Sequence, residues 1–205
     1  ESERKLLLEQ QKLEAMRRTL KNGVAATEAA LSGKPGVPWL EKLPTAWYVA
    51  TPVQGDVGST NTLVRNIKDH LAYCDQSGLG EELSVGSIVS RASLLAGDYR
   101  ESFYSTKLLS LWIPLERPAG LYACVLHRGP YQRLEETYPM LLAFLREQGC
   151  RVCGDSFETD LISYLATECE EDFILKLEVQ VEKAPKARPQ AAAWGRASQR
   201  QLFPK

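Results

Sequence analysis

Residues 120–182 read GLYACVLHRGPYQRLEETYPMLLAFLREQGCRVCGDSFETDLISYLATECEEDFILKLEVQVE, and the two ends of this stretch decide the fold. At its C-terminal end Leu175, Leu177, Val179 and Val181 alternate with Lys176, Glu178 and Gln180, the period of a strand with one apolar face. At its N-terminal end an extended run from Tyr122 closes at Gly129. Leu134, Tyr138 and Leu142 follow at a spacing of four, a helix that stops at Gly149. The unit reads strand, helix, strand, strand.

The same order occurs upstream. Tyr48 and Gly55 precede Tyr122 and Gly129 by 74 residues, while Leu63, Ile67 and Leu71 precede Leu134, Tyr138 and Leu142 by 71. The first helix then stops at Gly78, and Leu108–Glu116 (LLSLWIPLE) parallels Ile174–Glu182. Two duplicated strand-helix-strand-strand units predict an α+β fold, one antiparallel sheet with two helices on one face. In that register Leu109, Leu111, Ile113 and Leu115 form the core phase, and Trp112 points to the open face, where an indole wants a partner.

Outside the repeats, residues 3–31 hold no proline and place Leu6, Leu13 and Leu20 seven apart. Met16, Val24, Thr27 and Leu31 fill the alternate positions, and charged residues cover the other faces. This narrow seam favours an intermolecular coiled coil, so residues 1–33 are expected to form a dimerisation helix and the chain a homodimer. Gly33 to Gly36 and the prolines at 35, 38 and 44 mark residues 34–43 as a linker. The effector-sized domain spans 44–182. Residues 183–205 carry six basic side chains, three prolines and no acid, which predicts a disordered basic tail.

The net charge of −1 lacks the basic excess of a nucleic-acid binder, and no apolar run reaches the roughly 18–20 residues of a membrane span. Five cysteines, an odd number within mostly apolar segments, suit reduced thiols in the cytoplasm. Cys150 and Cys153 lack the second ligand pair that zinc wants, and His70 and His127 are isolated from each other, so neither metal nor cofactor is expected. Nucleophile elbows, phosphate loops and dinucleotide fingerprints are missing, which argues against a complete catalytic apparatus. What remains is a group of aromatics with carboxylates: Tyr99, Phe103, Tyr104, Trp112, Tyr131, Phe157, Glu158, Tyr164, Glu171 and Phe173. A carboxylate among aromatic rings attracts organic cations by charge and ring quadrupole together, whereas the alternative for Glu158 is a solvated strand glutamate.

The run from Gly120 to Glu182 resembles the effector-binding domain shared by GyrI-like proteins and the MerR-family multidrug-sensing regulators. The motifs that carry the resemblance are His127-Arg-Gly-Pro-Tyr131, the helix ending in glycine, and the glutamate strand Gly154-Asp-Ser-Phe-Glu158. The likeness covers residues 43–182, and the preceding helix looks like the dimerisation helix of such regulators. It implies a transcription factor that senses lipophilic, often cationic aromatic compounds. DNA contact would come through a winged-helix part expected upstream of Glu1. On this likeness the pocket glutamate falls on Glu158, an accompanying acid on Glu171, and pocket aromatics on Tyr131 and Phe173; Tyr104 and Trp112 join them by face arguments alone. Two rivals stand beside the sensor: a small-molecule hydrolase in which Glu158 activates water, and a module that grips a partner protein with its open sheet face.

Overall fold

The computed structural model describes residues 2–55, 60–76, 85–107, 115–164 and 166–184. The remaining residues, among them Gly78, Trp112 and the tail from 185, lie outside this description. In chain order the elements are α1 (Ser2–Ser32), β1 (Trp39–Leu43), β2 (Ala46–Pro52), α2 (Thr60–Gln76), β3 (Val85–Val89) and α3 (Arg91–Ala96). They continue with β4 (Phe103–Lys107), β5 (Leu115–Arg117), β6 (Gly120–Arg128), α4 (Leu134–Glu147), β7 (Cys150–Ile162) and β8 (Ile174–Lys183). Short 3-10 turns cover Tyr131–Arg133 and Glu170–Asp172.

All eight strands join one antiparallel sheet in the order β1-β6-β8-β7-β3-β4-β2-β5. The expected alternation in β8 holds, because Leu175, Leu177, Val179 and Val181 are all buried against Tyr138, Leu141 and Leu145 of α4. Leu94 of α3 packs into the same cluster. Helix α2 covers the same face at the other half of the sheet: its His70 lies between the hydroxyls of Thr51 and Thr106, both 2.9 Å from the ring nitrogens.

Four expectations change. The segment 34–43, read as a linker, contains β1, which pairs with β6 from Trp39↔Cys124 to Leu43↔Gly120. Between Pro38 and Pro44 there is room for one short strand, and it is retained because Leu40 packs on one sheet face while Trp39 and Leu43 pack on the other. The strand expected from Leu108 to Glu116 is described only from Leu115, where it forms the edge strand β5. Leu115 is exposed there, and among the described residues β5 pairs with β2 at the end of the sheet. Position for position in the strand order, β4 takes the place in the first half that β8 takes in the second.

The fourth change concerns the sheet face away from the helices, which is not open. Tyr48, Ile88, Tyr122, Cys124 and Phe157 are buried on it. The sheet curls: Tyr48 on β2 and Phe157 on β7 are three strand steps apart, about 14 Å in a flat sheet, yet their ring centroids are 5.0 Å apart. Arg117 of β5 reaches across the concavity to an ion pair with Glu178 of β8, donates to the Pro44 carbonyl at 3.1 Å and stacks over Tyr122. Helix α1 touches this body near its C-terminal end, where Ala30 is buried against Leu126 and Ile174. Leu6, Leu13, Met16, Leu20 and Val24 are all exposed, so the seam is not covered by the chain's own sheet. No helix among the described residues is long and apolar enough to cross a membrane.

Candidate functional site

The two halves of the sheet meet where β3 pairs with β7, and there Ser87 stands opposite Glu158. Thr51, Tyr104, Ser87, Glu158 and Leu177 form one continuous row across five strands, all facing the helices. The approach of β3 to β7 is close because residue 86 is glycine: a Cβ there would fall inside van der Waals contact of the Glu158 carbonyl. Glu158 is 5% exposed, although it is ionisable and lies in the middle of a sheet.

Its carboxylate accepts hydrogen bonds from the Ser87 hydroxyl and, at 2.6 Å, from the hydroxyl of Tyr138 on α4. The same tyrosine lies 2.8 Å from Ser156, and Tyr99 stacks on its ring with centroids 4.9 Å apart. Tyr99 is delivered by α3, a short helix whose sequence carries its own start and stop. The Ser90 side chain caps the N-terminus, and Gly97, at φ 76°, turns the chain out at the other end. The turn also brings Glu101, which accepts a 2.8 Å bond from Tyr104. Two residues beyond Glu158 on the same face of β7, Asp160 accepts from the Tyr131 hydroxyl at 3.0 Å, and the Tyr131 ring packs on Phe173 at 5.3 Å.

Electrostatically this is a group of acids and phenols. Burial pushes Glu158 up to about 7, against the pull of its Ser87 and Tyr138 hydrogen bonds, with Glu101 and Asp160 adding like charge. Burial likewise raises Asp160 to about 6. Tyr104, Tyr131 and Tyr138 are all raised, first by burial and then by the carboxylates beside them, so each stays a hydrogen-bond donor at neutral pH. Among the described residues no lysine or arginine pairs with Glu158. A buried acid without a cation is costly, and the protein lowers that cost by holding it partly neutral.

Of the residues singled out from sequence, Glu158, Tyr104, Tyr131 and Phe173 thus stand in or beside this group. Trp112 lies outside the described residues. Glu171 points elsewhere: on its 3-10 turn it is largely exposed and ion-paired with Arg133. The acid that accompanies Glu158 is Asp160, which the period of two along β7 marks once the facing side is known. Ser87, Glu101 and Tyr138 were not singled out as site residues. Ser87 and Glu101 leave no sequence signal, and Tyr138 reads as an apolar helix position. The site is packed shut, whereas two open clefts lie elsewhere. One, of about 410 Å³, lies beneath the end of α1 at Trp39, Leu126 and Lys176. The other, of about 300 Å³, lies beside His127, Arg133 and Met140.

No known sequence family and no curated protein matches this chain by sequence. Solved structures do match. The C-terminal domain of EcmrR superposes with a TM-score of 0.55 at 14% identity, covering 72% of this chain and 98% of that one. The chain shares its fold with the EcmrR C-terminal domain. EcmrR in its complex with DNA gives a TM-score of 0.57 at 14% identity, over 88% of this chain and 70% of that one. An uncharacterized conserved protein from Listeria innocua gives 0.50 at 13% identity, over 74% and 95%. At such identities the likeness is one of fold, and the site must be argued from its own residues.

Proposed function

We propose that this GyrI-like chain is the small-molecule-sensing part of a MerR-type transcriptional regulator. In this reading the two strand-helix-strand-strand halves are duplicates. Lipophilic aromatic cations enter between their helices, at the seam where β3 meets β7. The observation that carries the proposal is Glu158: a buried carboxylate surrounded by hydroxyls, rings and other acids, with no cation of its own among the described residues. A ligand cation would supply the missing charge, and Tyr99, Tyr104, Tyr131 and Phe173 would supply ring faces. Because Glu158 is buried beneath Tyr138, on which Tyr99 stacks, entry in this reading requires Tyr99 to swing aside.

The exposed seam of α1 supports the second half of the reading, a homodimer formed through this helix, with DNA bound by a winged-helix part that precedes Glu1. Titration calorimetry with tetraphenylphosphonium and a rhodamine-type cation tests the site. The parent is expected to bind at micromolar levels and Glu158→Gln to lose tenfold or more, about 1.4 kcal/mol. Absence of heat with both cations would remove the sensor reading.

One observation favours a second reading, hydrolysis. A carboxylate raised to about 7 is well matched to general-base work at neutral pH. Turnover of an ester or strained-ring substrate by the parent, lost in Glu158→Gln, would establish it. Sensing is preferred because both oxygens of Glu158 are already engaged by Ser87 and Tyr138.

A further inference from the structure

The larger cleft, of about 410 Å³, lies where the last turn of α1 meets the sheet, and it shares no lining residue with the Glu158 group. Ala29 and Gly33 line it from the helix side. Trp39 of β1, Leu126 of β6, Leu161 of β7 and Lys176 of β8 line it from the sheet side. Two contacts set its shape. A Cβ on residue 33 would collide with the Leu126 side chain, so the glycine lets the helix end sit close on β6. Three residues on, the Gly36 amide donates to the Leu126 carbonyl at 2.9 Å and ties the turn after the helix to the same strand. A mostly apolar lining and a volume of this size are those of small-molecule sites, which run from about 300 to 1,000 Å³.

The charges at the cleft do not cancel. The Trp39 indole N–H donates to Glu41 at 3.0 Å, and the same carboxylate oxygen lies 3.6 Å from the Lys176 ammonium. Lys176 also pairs with Glu178 at 2.8 Å and sits 5.8 Å from the centre of the Trp39 ring, while Glu178 is paired in turn with Arg117. The acids Glu41 and Glu178 are therefore met by Lys176 and Arg117. Lys34, the other charged residue lining the cleft, is exposed and has no ion pair among the described residues.

We infer that this cleft is a second small-molecule site, built for an aromatic carboxylate whose rings lie against Trp39 and Leu126 and whose anion is received by Lys34. An ammonium has three donors, so Lys176 can share the carboxylate while keeping both of its acids. A positive ligand would meet two lysines here, which sets this site apart from the cation reading of Glu158, on which it does not depend. Because the walls come from α1 on one side and the sheet on the other, an occupant bridges the arm and the domain.

Titration calorimetry of the whole chain with 2-naphthoate and its neutral counterpart 2-naphthamide provides the test. The parent is expected to bind the naphthoate about fivefold more tightly than the amide, the upper worth of an exposed ion pair. Ala29→Phe, which fills the cleft from an exposed helix position, is expected to abolish binding of both probes. Lys34→Gln is expected to bring the naphthoate down to the affinity of the amide and to leave the amide unchanged. Absence of naphthoate binding, equal affinity of the parent for the two probes, binding that survives Ala29→Phe, or a preference that survives Lys34→Gln each overturns the inference. Should Ala29→Phe lose its fold, as judged by circular dichroism, Lys34→Gln still decides.

Discussion

Replacing Glu158 by glutamine should change how stability and binding depend on pH, and the sign follows from the burial of the carboxyl. In the unfolded chain a glutamate titrates near its ordinary value of 4.5, and in the folded protein near 7. Between these values the folded state holds a proton that the unfolded state has lost, so folding becomes less favourable as pH rises through this window. The shift amounts to about 3 kcal/mol, absent below about pH 4.5 and complete above about pH 7. Glutamine is neutral throughout. The stability of Glu158→Gln minus that of the parent should therefore rise by about 3 kcal/mol between pH 4.5 and pH 8 in urea unfolding. The other groups that face Glu158, namely Glu101, Asp160, Tyr104, Tyr131 and Tyr138, are present in both proteins and largely cancel in the difference. The residue of non-cancellation is Asp160, which loses a like charge beside it in the variant. Binding carries the mirror image. A cation takes Glu158 as its anion and expels the proton, so affinity should fall about tenfold from pH 8 to pH 6 in the parent and lose most of that dependence in Glu158→Gln. A stability difference that is flat from pH 4.5 to pH 8 would refute the assignment of a neutral, buried Glu158.

Three further outcomes are expected. Arg117→Met leaves Glu178 buried with only Lys176 at 2.8 Å for company, and should cost about 3 kcal/mol in thermal or urea unfolding; adding Glu178→Leu should return most of the loss. Gly86→Ala forces β3 away from β7 at the Glu158 carbonyl, so it should destabilise by about 1–3 kcal/mol and weaken cation binding as well, measured by unfolding and calorimetry on the same sample. Leu6, Leu13 and Leu20 replaced together by glutamate should turn a dimer into a monomer in sedimentation equilibrium and leave unfolding of the sheet domain unchanged, since all three side chains are exposed in the single chain.

Alternation by two in residues 174–182 and spacing by four in residues 134–142 were enough to assign a half-buried strand and its covering helix, because local geometry decides which side chains share a face. The same periodicity marked the helix of residues 3–31, and turn chemistry placed breaks near Gly33 and Gly149. Glu158 was legible as a carboxylate in an aromatic-rich stretch, and Tyr131 and Phe173 as its company. The role given to Glu171 came from resemblance, which does not report the direction of a side chain on a 3-10 turn. Only the tertiary structure decided that Glu158 is buried, because burial came from Ser87 and Tyr138, residues separated from it by 71 and 20 positions. Pairing across the β3/β7 seam brought Ser87 to it, and the packing of α4 on the sheet brought Tyr138. Curling of the sheet was equally invisible, since it depends on the sum of twists over eight strands and is closed by an ion pair between Arg117 and Glu178, 61 residues apart. Periodicity along one strand fixes what faces the same way, whereas the identity of the neighbour across the sheet is a long-range property. On this chain such neighbours turn an ordinary strand glutamate into a buried carboxyl with no cationic partner among the described residues.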